Sequence, residues 1–318
     1  MKKCNVGHLF GGAGTALITP FNNDTRGGSL QLEPLIDFKA LEWLVEEQIK
    51  AGINFLVPAG TTGEAPCLNP SEQIDVIKCV VKTTNGRVPI LAGTGSNSTR
   101  EAVELTIRAK DVGANGALVV SPYYNKPMLA GMRHYFESVA SVGLPIILYD
   151  IPGRTAKGVP TQLIIDLAND GIIAGIKWAS GDLIQLEEIL KNTPSTFTVL
   201  SGDDGKTLDL LKMCGHGVIS VVSHIIPRTI IKMVNAIIGV TPNKDLAQKI
   251  HTEISPLIEV MFIETNPVPV KTAMAFLHSN IKPIFRSPMC PLEPKSIEKL
   301  KQVLLYQLYN KDGTNKGN

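Results

Sequence analysis

Short apolar runs recur along this chain at intervals that leave room for a helix between them. This alternation constrains the fold more than any single motif does. The runs fall at residues 14–20, 54–58, 88–92, 117–121, 145–149, 172–177, 197–201 and 217–222. Each is flanked by Gly, Pro, Ser or Asn, and each is continuously apolar rather than alternating, as strands covered on both faces are. Between them lie helical patterns. Leu41, Leu44, Val45, Gln48 and Ile49 precede Gly52, a natural stop. Pro70-Ser71-Glu72 opens a stretch carrying Ile74, Ile77, Val80 and Val81, and Thr99-Arg100-Glu101 opens one carrying Ala102, Leu105 and Ala109 before Gly113. Residues 182–190 and 206–213 follow the same scheme. Eight βα units in about 230 residues predict an α/β chain of the (β/α)8 TIM-barrel class.

An open doubly wound sheet is the rival, and it usually carries a glycine fingerprint. The nearest candidate, Gly93-Thr94-Gly95-Ser96-Asn97-Ser98, lacks the third glycine, and no Walker-type loop is present. A nucleotide cofactor is therefore not expected. Beyond about residue 240 the strand signal stops, and 244–262, 269–277 and 296–308 read as helices. The expected organisation is a barrel catalytic domain over 11–240 and a C-terminal helical region, a helical appendage, over 241–318.

Composition narrows the partners. The formal charge is +2, 44% of residues are hydrophobic and 19% charged. Such a chain buries a large core and offers no electrostatic footprint for nucleic acid or an anionic membrane. The apolar runs are too short to span a bilayer, and the basic start lacks a signal peptide's apolar core. The five cysteines (Cys4, Cys67, Cys79, Cys214, Cys290) show no CxxC spacing, which argues against a disulfide framework or zinc knuckle. The six histidines show no metal-ligand spacing. A soluble cytoplasmic protein is expected, in which Asn23-Asp24-Thr25 and Asn97-Ser98-Thr99 match a glycosylation sequon by chance.

In a barrel the chemistry sits where strands end at their carboxyl side. The polar groups there are Thr61 and Thr62, Tyr123 and Tyr124, Tyr149 with Arg154, Lys177, and Gly202-Asp203-Asp204. Lys177 follows Ile172-Ile173-Ala174-Gly175-Ile176 without a polar break, so its amine faces the mouth or interior. Desolvation there lowers its pKa, and a neutral amine can form an imine with a ketone. The alternative is a lysine capping the barrel in an ion pair. Tyr149 and Tyr124 either relay protons to such an amine or pack as ordinary core aromatics. Thr61-Thr62-Gly63 either holds a carboxylate or makes a plain turn. Arg154 either pairs bidentately with a second carboxylate or lies on the surface. Asp203-Asp204 either bind a metal or, as two acids without further ligands, cap a helix, the commoner case.

Taken in order, several segments resemble the dihydrodipicolinate (4-hydroxy-tetrahydrodipicolinate) synthase family of pyruvate-dependent class I aldolases. They are Gly60-Thr61-Thr62-Gly63-Glu64, Ala92-Gly93-Thr94-Gly95, Pro122-Tyr123-Tyr124-Asn125-Lys126-Pro127, Tyr149-Asp150-Ile151-Pro152-Gly153-Arg154-Thr155 and Gly175-Ile176-Lys177. Leu200-Ser201-Gly202-Asp203-Asp204, Gly215-His216-Gly217-Val218-Ile219-Ser220 and Asn266-Pro267-Val268-Pro269-Val270-Lys271 continue the series. The resemblance implies a lyase that condenses pyruvate with L-aspartate 4-semialdehyde to (4S)-4-hydroxy-2,3,4,5-tetrahydrodipicolinate, on the way to diaminopimelate and lysine, with no cofactor. It implies that Lys177 forms the Schiff base, that Tyr149, Thr61 and Tyr124 form a proton relay, and that Tyr124 reaches into a neighbouring subunit. It also implies that Thr62, Ile219 and Gly202 surround pyruvate and that Arg154 receives the semialdehyde's carboxylate. A homotetramer built from tight dimers follows from the same likeness.

The family's lysine-inhibitor pocket maps onto Ala65, Pro66, Pro70, Gln73, Asn97, Glu101 and Tyr123, with Asn97, Glu101 and Tyr123 as the polar groups. Two positions depart from the family pattern: Asp150 stands where Asn is common, and Trp178 where an acid commonly follows the lysine. A sugar-acid lyase or aldolase of the same family, acting on N-acetylneuraminate or a 2-keto-3-deoxy acid, is the second reading, and a catalytically silent ligand-sensing barrel is the third.

Overall fold

The strands of the barrel are β1 (Gly12–Ala16), β2 (Phe55–Val57), β3 (Leu91–Gly93), β4 (Gly116–Val120), β5 (Ile146–Asp150), β6 (Gly175–Trp178), β7 (Thr198–Ser201) and β8 (Gly217–Ser220). All pair in parallel in the order β2-β1-β8-β7-β6-β5-β4-β3. The two ends of that order meet through a parallel bridge between Leu56 and Ile90, with Leu56 N–H donating to the Pro89 carbonyl at 3.0 Å and Gly93 N–H to that of Pro58 at 2.9 Å. The sheet is thus a (β/α)8 barrel. The structure is a computed structural model that describes residues 8–23 and 33–308. Cys4, residues 1–7 of the basic start, Asp24 and Thr25 of the first sequon, and the polar tail from Asn310 lie outside the described residues.

Each strand is followed by a helix: α1 (Phe38–Ala51), α2 (Pro70–Thr84), α3 (Thr99–Asp111), α4 (Leu129–Ala140), α5 (Thr161–Asn169), α6 (Leu183–Asn192), α7 (Thr207–Lys212) and α8 (Pro227–Ile238). Local chemistry places their ends. The Asn69 side chain accepts the amides of Ser71 and Glu72 while Glu72 reaches back to the Asn69 amide, a reciprocal cap that satisfies otherwise orphaned donors. Gly52 ends α1 at φ 91°, in the left-handed region glycine enters without strain. Three further helices follow: α9 (Lys244–Val260), α10 (Val268–Leu277) and α11 (Pro294–Leu308).

Strand side chains alternate in direction, and two apolar layers result. Phe10, Phe55, Leu91, Leu118, Ile147, Tyr149, Leu200 and Ile219 fill the barrel. Leu56, Val119, Leu148, Ile176, Trp178 and Val218 pack outward beneath the helices. Trp178 is fully buried there, with its indole N–H on the Gln185 carbonyl oxygen at 3.2 Å, so this departure from the family pattern repacks the barrel wall.

Three sequence expectations shift. The first strand begins at Gly12 rather than Gly14, because glycine acts here as a space-maker, not a breaker. A Cβ on Gly14 would stand 2.2 Å from the Phe55 ring. Two short strands, Phe21–Asn22 and Leu35–Ile36, pair antiparallel outside the barrel, too short to leave a periodic signal. Cys67, Cys79 and Cys290 are free thiols, whereas Cys214 is disulfide-bonded. No helix among the described residues is long and apolar enough to cross a membrane.

Candidate active site

Lys177 lies near the carboxyl end of β6, in register with Tyr149 of β5 and Leu200 of β7. Because Ile176 and Trp178 point outward, Lys177 points into the barrel. It is 6% exposed, and its Nζ lies 4.1 Å from the centre of the Tyr149 ring. Burial lowers its pKa to about 8, with the Arg154 charge adding to the effect and the Asp204 charge opposing it. Burial likewise pushes the Tyr149 phenol up to about 12, against the Arg154 charge and a hydrogen bond with Thr61. The pair therefore joins an amine that becomes neutral in mildly alkaline solution to a phenol that keeps its proton.

Gly202 makes room for this lysine. A Cβ there would stand 2.9 Å from Lys177 Cε and 3.0 Å from the Ala179 Cβ, so the stem passes where only glycine leaves space. A cavity of about 390 Å³ opens above, lined among others by Thr61, Thr62, Tyr149, Arg154 and Lys177. Thr62 is 3% exposed, and its Oγ1 accepts the Asn266 side-chain amide at 2.9 Å. The Asn266 backbone carbonyl in turn accepts the Arg154 guanidinium at 3.0 Å. Asn266 thus joins two expected substrate-holding residues across the cavity rim. The sequence singles out its segment, Asn266 to Lys271, but gives Asn266 no role, since it arrives from the C-terminal helical region, far in sequence from both partners.

Other expected residues stand apart. Tyr124 is 89% exposed, with φ 69°, and lies outside the cavity lining of its own chain. Ile219 is buried in the barrel interior with Tyr149 and Leu200, below the cavity. Asp203 and Asp204 do different things. Asp203 caps the short turn Asp204–Lys206 by accepting the Gly205 amide at 2.8 Å. Asp204 is no cap: buried, it accepts the Ser220 hydroxyl and the amides of Val221 at 2.9 Å and Val222 at 3.3 Å. It holds the end of β8 in place and is the carboxylate Lys177 feels.

The expected inhibitor-pocket residues Ala65, Pro66, Gln73, Glu101 and Tyr123 line the same cavity. Glu101 accepts the Ser96 hydroxyl, and the Asn97 carbonyl accepts the Asn125 side-chain amide at 2.8 Å. Behind Thr61 and Thr62, a buried ion pair joins Glu64 to Lys271 of α10. Arg286 is also buried and grips Glu72 with contacts of 2.8 and 2.7 Å. Among the described residues no group of three His, Cys, Asp or Glu side chains is placed to hold a metal ion.

Residues 9–307 match the dihydrodipicolinate synthetase family. The chain belongs to that family. It is 44% identical over 297 residues to 4-hydroxy-tetrahydrodipicolinate synthase of Thermodesulfovibrio yellowstonii, covering 93% of this chain and 98% of that protein. The crystal structure of dihydrodipicolinate synthase from Aquifex aeolicus superposes with a TM-score of 0.88 at 38% identity, over 97% of this chain and all of the other. A monomeric dihydrodipicolinate synthase variant superposes with a TM-score of 0.87 at 35% identity, over 93% of this chain and 96% of its own.

Proposed function

We propose that this chain is a 4-hydroxy-tetrahydrodipicolinate synthase, joining pyruvate to L-aspartate 4-semialdehyde with release of one water. The observation that carries the reading is Lys177: buried, easily deprotonated, facing a cavity, and set against Tyr149. Its neutral amine attacks C2 of pyruvate. The carbinolamine loses water to give an imine, with Tyr149 handing over and taking back the protons. Loss of a methyl proton gives an enamine whose carbon attacks the aldehyde. The semialdehyde's own amine then displaces Lys177 and closes the ring.

Thr61 links Tyr149 to the outside and Thr62 holds the pyruvate carboxylate, with the Ile219 backbone and the Gly202 gap shaping the rest. Arg154 takes the semialdehyde's carboxylate as a charge-assisted pair. A sugar acid would present hydroxyl groups at that position instead, which makes the guanidinium the argument against the sugar-acid reading. Tyr124 completes the relay from a second copy of the chain, in a homotetramer built as a dimer of dimers. Its exposure beside the exposed side chains of Met128 and Leu129 supports a contact there.

The test is borohydride trapping with pyruvate, followed by mass spectrometry of the peptide holding Lys177, and then turnover with aspartate 4-semialdehyde. An adduct on Lys177 and turnover are expected. An adduct at another lysine, or trapping without semialdehyde turnover, overturns the assignment.

A further inference from the structure

Asp150 ends β5 with a carboxyl that is fully buried on the outer side of the barrel wall, opposite Tyr149. Its Oδ1 accepts the Val159 amide at 3.0 Å. Residues 151–158 therefore leave this strand end and return to its carboxyl. They carry the single turn Pro152–Thr155, and with it Arg154. The Thr155 hydroxyl bridges the carbonyls of Ile151 and Lys157, both at 3.0 Å, so the segment is braced internally and seated as a unit. Oδ2 is buried and makes no hydrogen bond of good geometry, although the Gln185 side-chain amide stands near enough to favour its ionised form slightly.

We propose that Asp150 is a positioning residue for Arg154, seating the 151–158 segment through Val159 and doing so best as the neutral acid. An ionised carboxylate would leave Oδ2 charged and dry, with only the Gln185 amide near it and that amide turned to the Val159 carbonyl. The interior tolerates such a charge poorly. Relief by an entering water or by a shift of the segment would move Arg154. Burial raises the Asp150 pKa to about 6, opposed by the Val159 amide and the Gln185 side chain. The groups packed against it are neutral. Gln185 gives its amide to the Val159 carbonyl at 3.3 Å and accepts from Trp178 and Ser180. Tyr149, on the opposite face, is the titratable neighbour that feels the Asp150 charge, and it stays protonated throughout this range. The inference rests on the reading of Arg154 as the semialdehyde's partner.

The experiment measures KM for aspartate 4-semialdehyde from about pH 5 to about pH 8.5 in the wild type, Asp150→Asn and Asp150→Ala. Borohydride trapping of pyruvate on Lys177 serves as the check on fold and imine chemistry. In the wild type KM is expected to rise about 3- to 10-fold through a transition near pH 6, less than the roughly 100-fold that a full 1 Å misplacement can cost. Asp150→Asn keeps the acceptor for Val159 and cannot ionise, so its KM should stay near the wild type's acidic-side value. Asp150→Ala loses the acceptor and should show the higher KM at every pH, with trapping intact in both variants. Superposable wild-type and Asp150→Asn profiles overturn the proposal, as does an Asp150→Ala enzyme that matches Asp150→Asn. Absence of semialdehyde turnover by the wild type sinks the functional reading and this inference with it; turnover with superposable profiles sinks this inference alone.

Discussion

The amine of Lys177 sits 4.1 Å from the centre of the Tyr149 ring, and two opposing effects meet in that contact. A ring face attracts an ammonium, worth about 2 kcal/mol or more when dry. Removal of the ammonium from water outweighs this, because the lysine's pKa is lowered to about 8. Lys271 is also lowered to about 8 and is also over an aromatic ring, that of Phe21 at 4.1 Å. What separates the two is access. Lys271 has no exposed surface and is held by Glu64, whereas Lys177 lines the cavity. A perturbed pKa alone nominates both, and geometry selects one.

Lys177→Met should abolish borohydride trapping and stabilise the fold. The folded pKa lies below the unfolded one, so the native state disfavours the ammonium. That penalty is fully present below pH 8 and disappears as pH rises past the unfolded value near 10.5. Removing it gains up to about 3 kcal/mol at neutral pH. Thermal melts of both proteins at neutral and strongly alkaline pH check this. In the wild type the rate of imine trapping should rise with pH through about 8. A flat trapping rate across that range counts against a free amine at Lys177.

Arg154→Ala should raise KM for aspartate 4-semialdehyde far more than KM for pyruvate. Loss of a charge-assisted bond costs ~1.5–3 kcal/mol, one to two decades in affinity. The guanidinium also holds the Asn266 carbonyl, so some damage reaches Thr62. Steady-state kinetics with each substrate varied in turn decide it. Equal damage to both Michaelis constants means that Arg154 acts through Asn266 and Thr62 rather than on the semialdehyde.

Lys271→Met should destabilise the chain by about 3–5 kcal/mol, since it strands the Glu64 carboxylate in a dry site. The double variant Glu64→Gln with Lys271→Met should recover most of that loss. Denaturant unfolding of the wild type, both single variants and the double variant measures the coupling. If the losses simply add, the buried pair is not what joins α10 to the loop behind Thr61.

These residues also show what could be read without coordinates. The barrel was legible because the buried strands read as short apolar runs and several of the helices between them carry a recognisable start or stop, such as Pro70 and Gly52. Lys177 was legible because a lysine after five unbroken apolar or small residues has few places to go. Asn266 was not, because its partners Thr62 and Arg154 lie more than a hundred residues away in sequence. Asp204 looked like a helix cap beside Asp203, and only the fold brings the Ser220–Val222 amides and hydroxyl to it. The role proposed for Tyr124 depends on a second copy of the chain, which one sequence does not display.

Sedimentation should find an oligomer in which Tyr124 is covered. Tyr124→Phe should keep the assembly and lower kcat by about two decades or more, the scale of a lost proton relay. An active monomer would remove both the shared relay and the tetramer.

The last expectation concerns lysine as an inhibitor. Glu101 and Tyr123 line the cavity and could receive its ammonium and carboxylate ends. Two further positions offer little. Pro70 opens α2 and carries no side-chain donor. The Gln73 side-chain amide already donates to the Ala65 carbonyl at 3.1 Å and the Leu68 carbonyl at 3.2 Å, so both its hydrogens are committed to backbone. A carboxylate arriving there must break those bonds and would gain only a neutral donor, weaker than a charged one. The Glu101 carboxylate is likewise engaged by Ser96. Each missing charge-assisted bond costs ~1.5–3 kcal/mol, so two together remove several decades of affinity. Lysine inhibition should therefore be weak or absent. An initial-rate titration against lysine checks this, and half-inhibition below about one millimolar, a binding energy of roughly 4 kcal/mol, would show that the pocket rebuilds around Pro70 and Gln73.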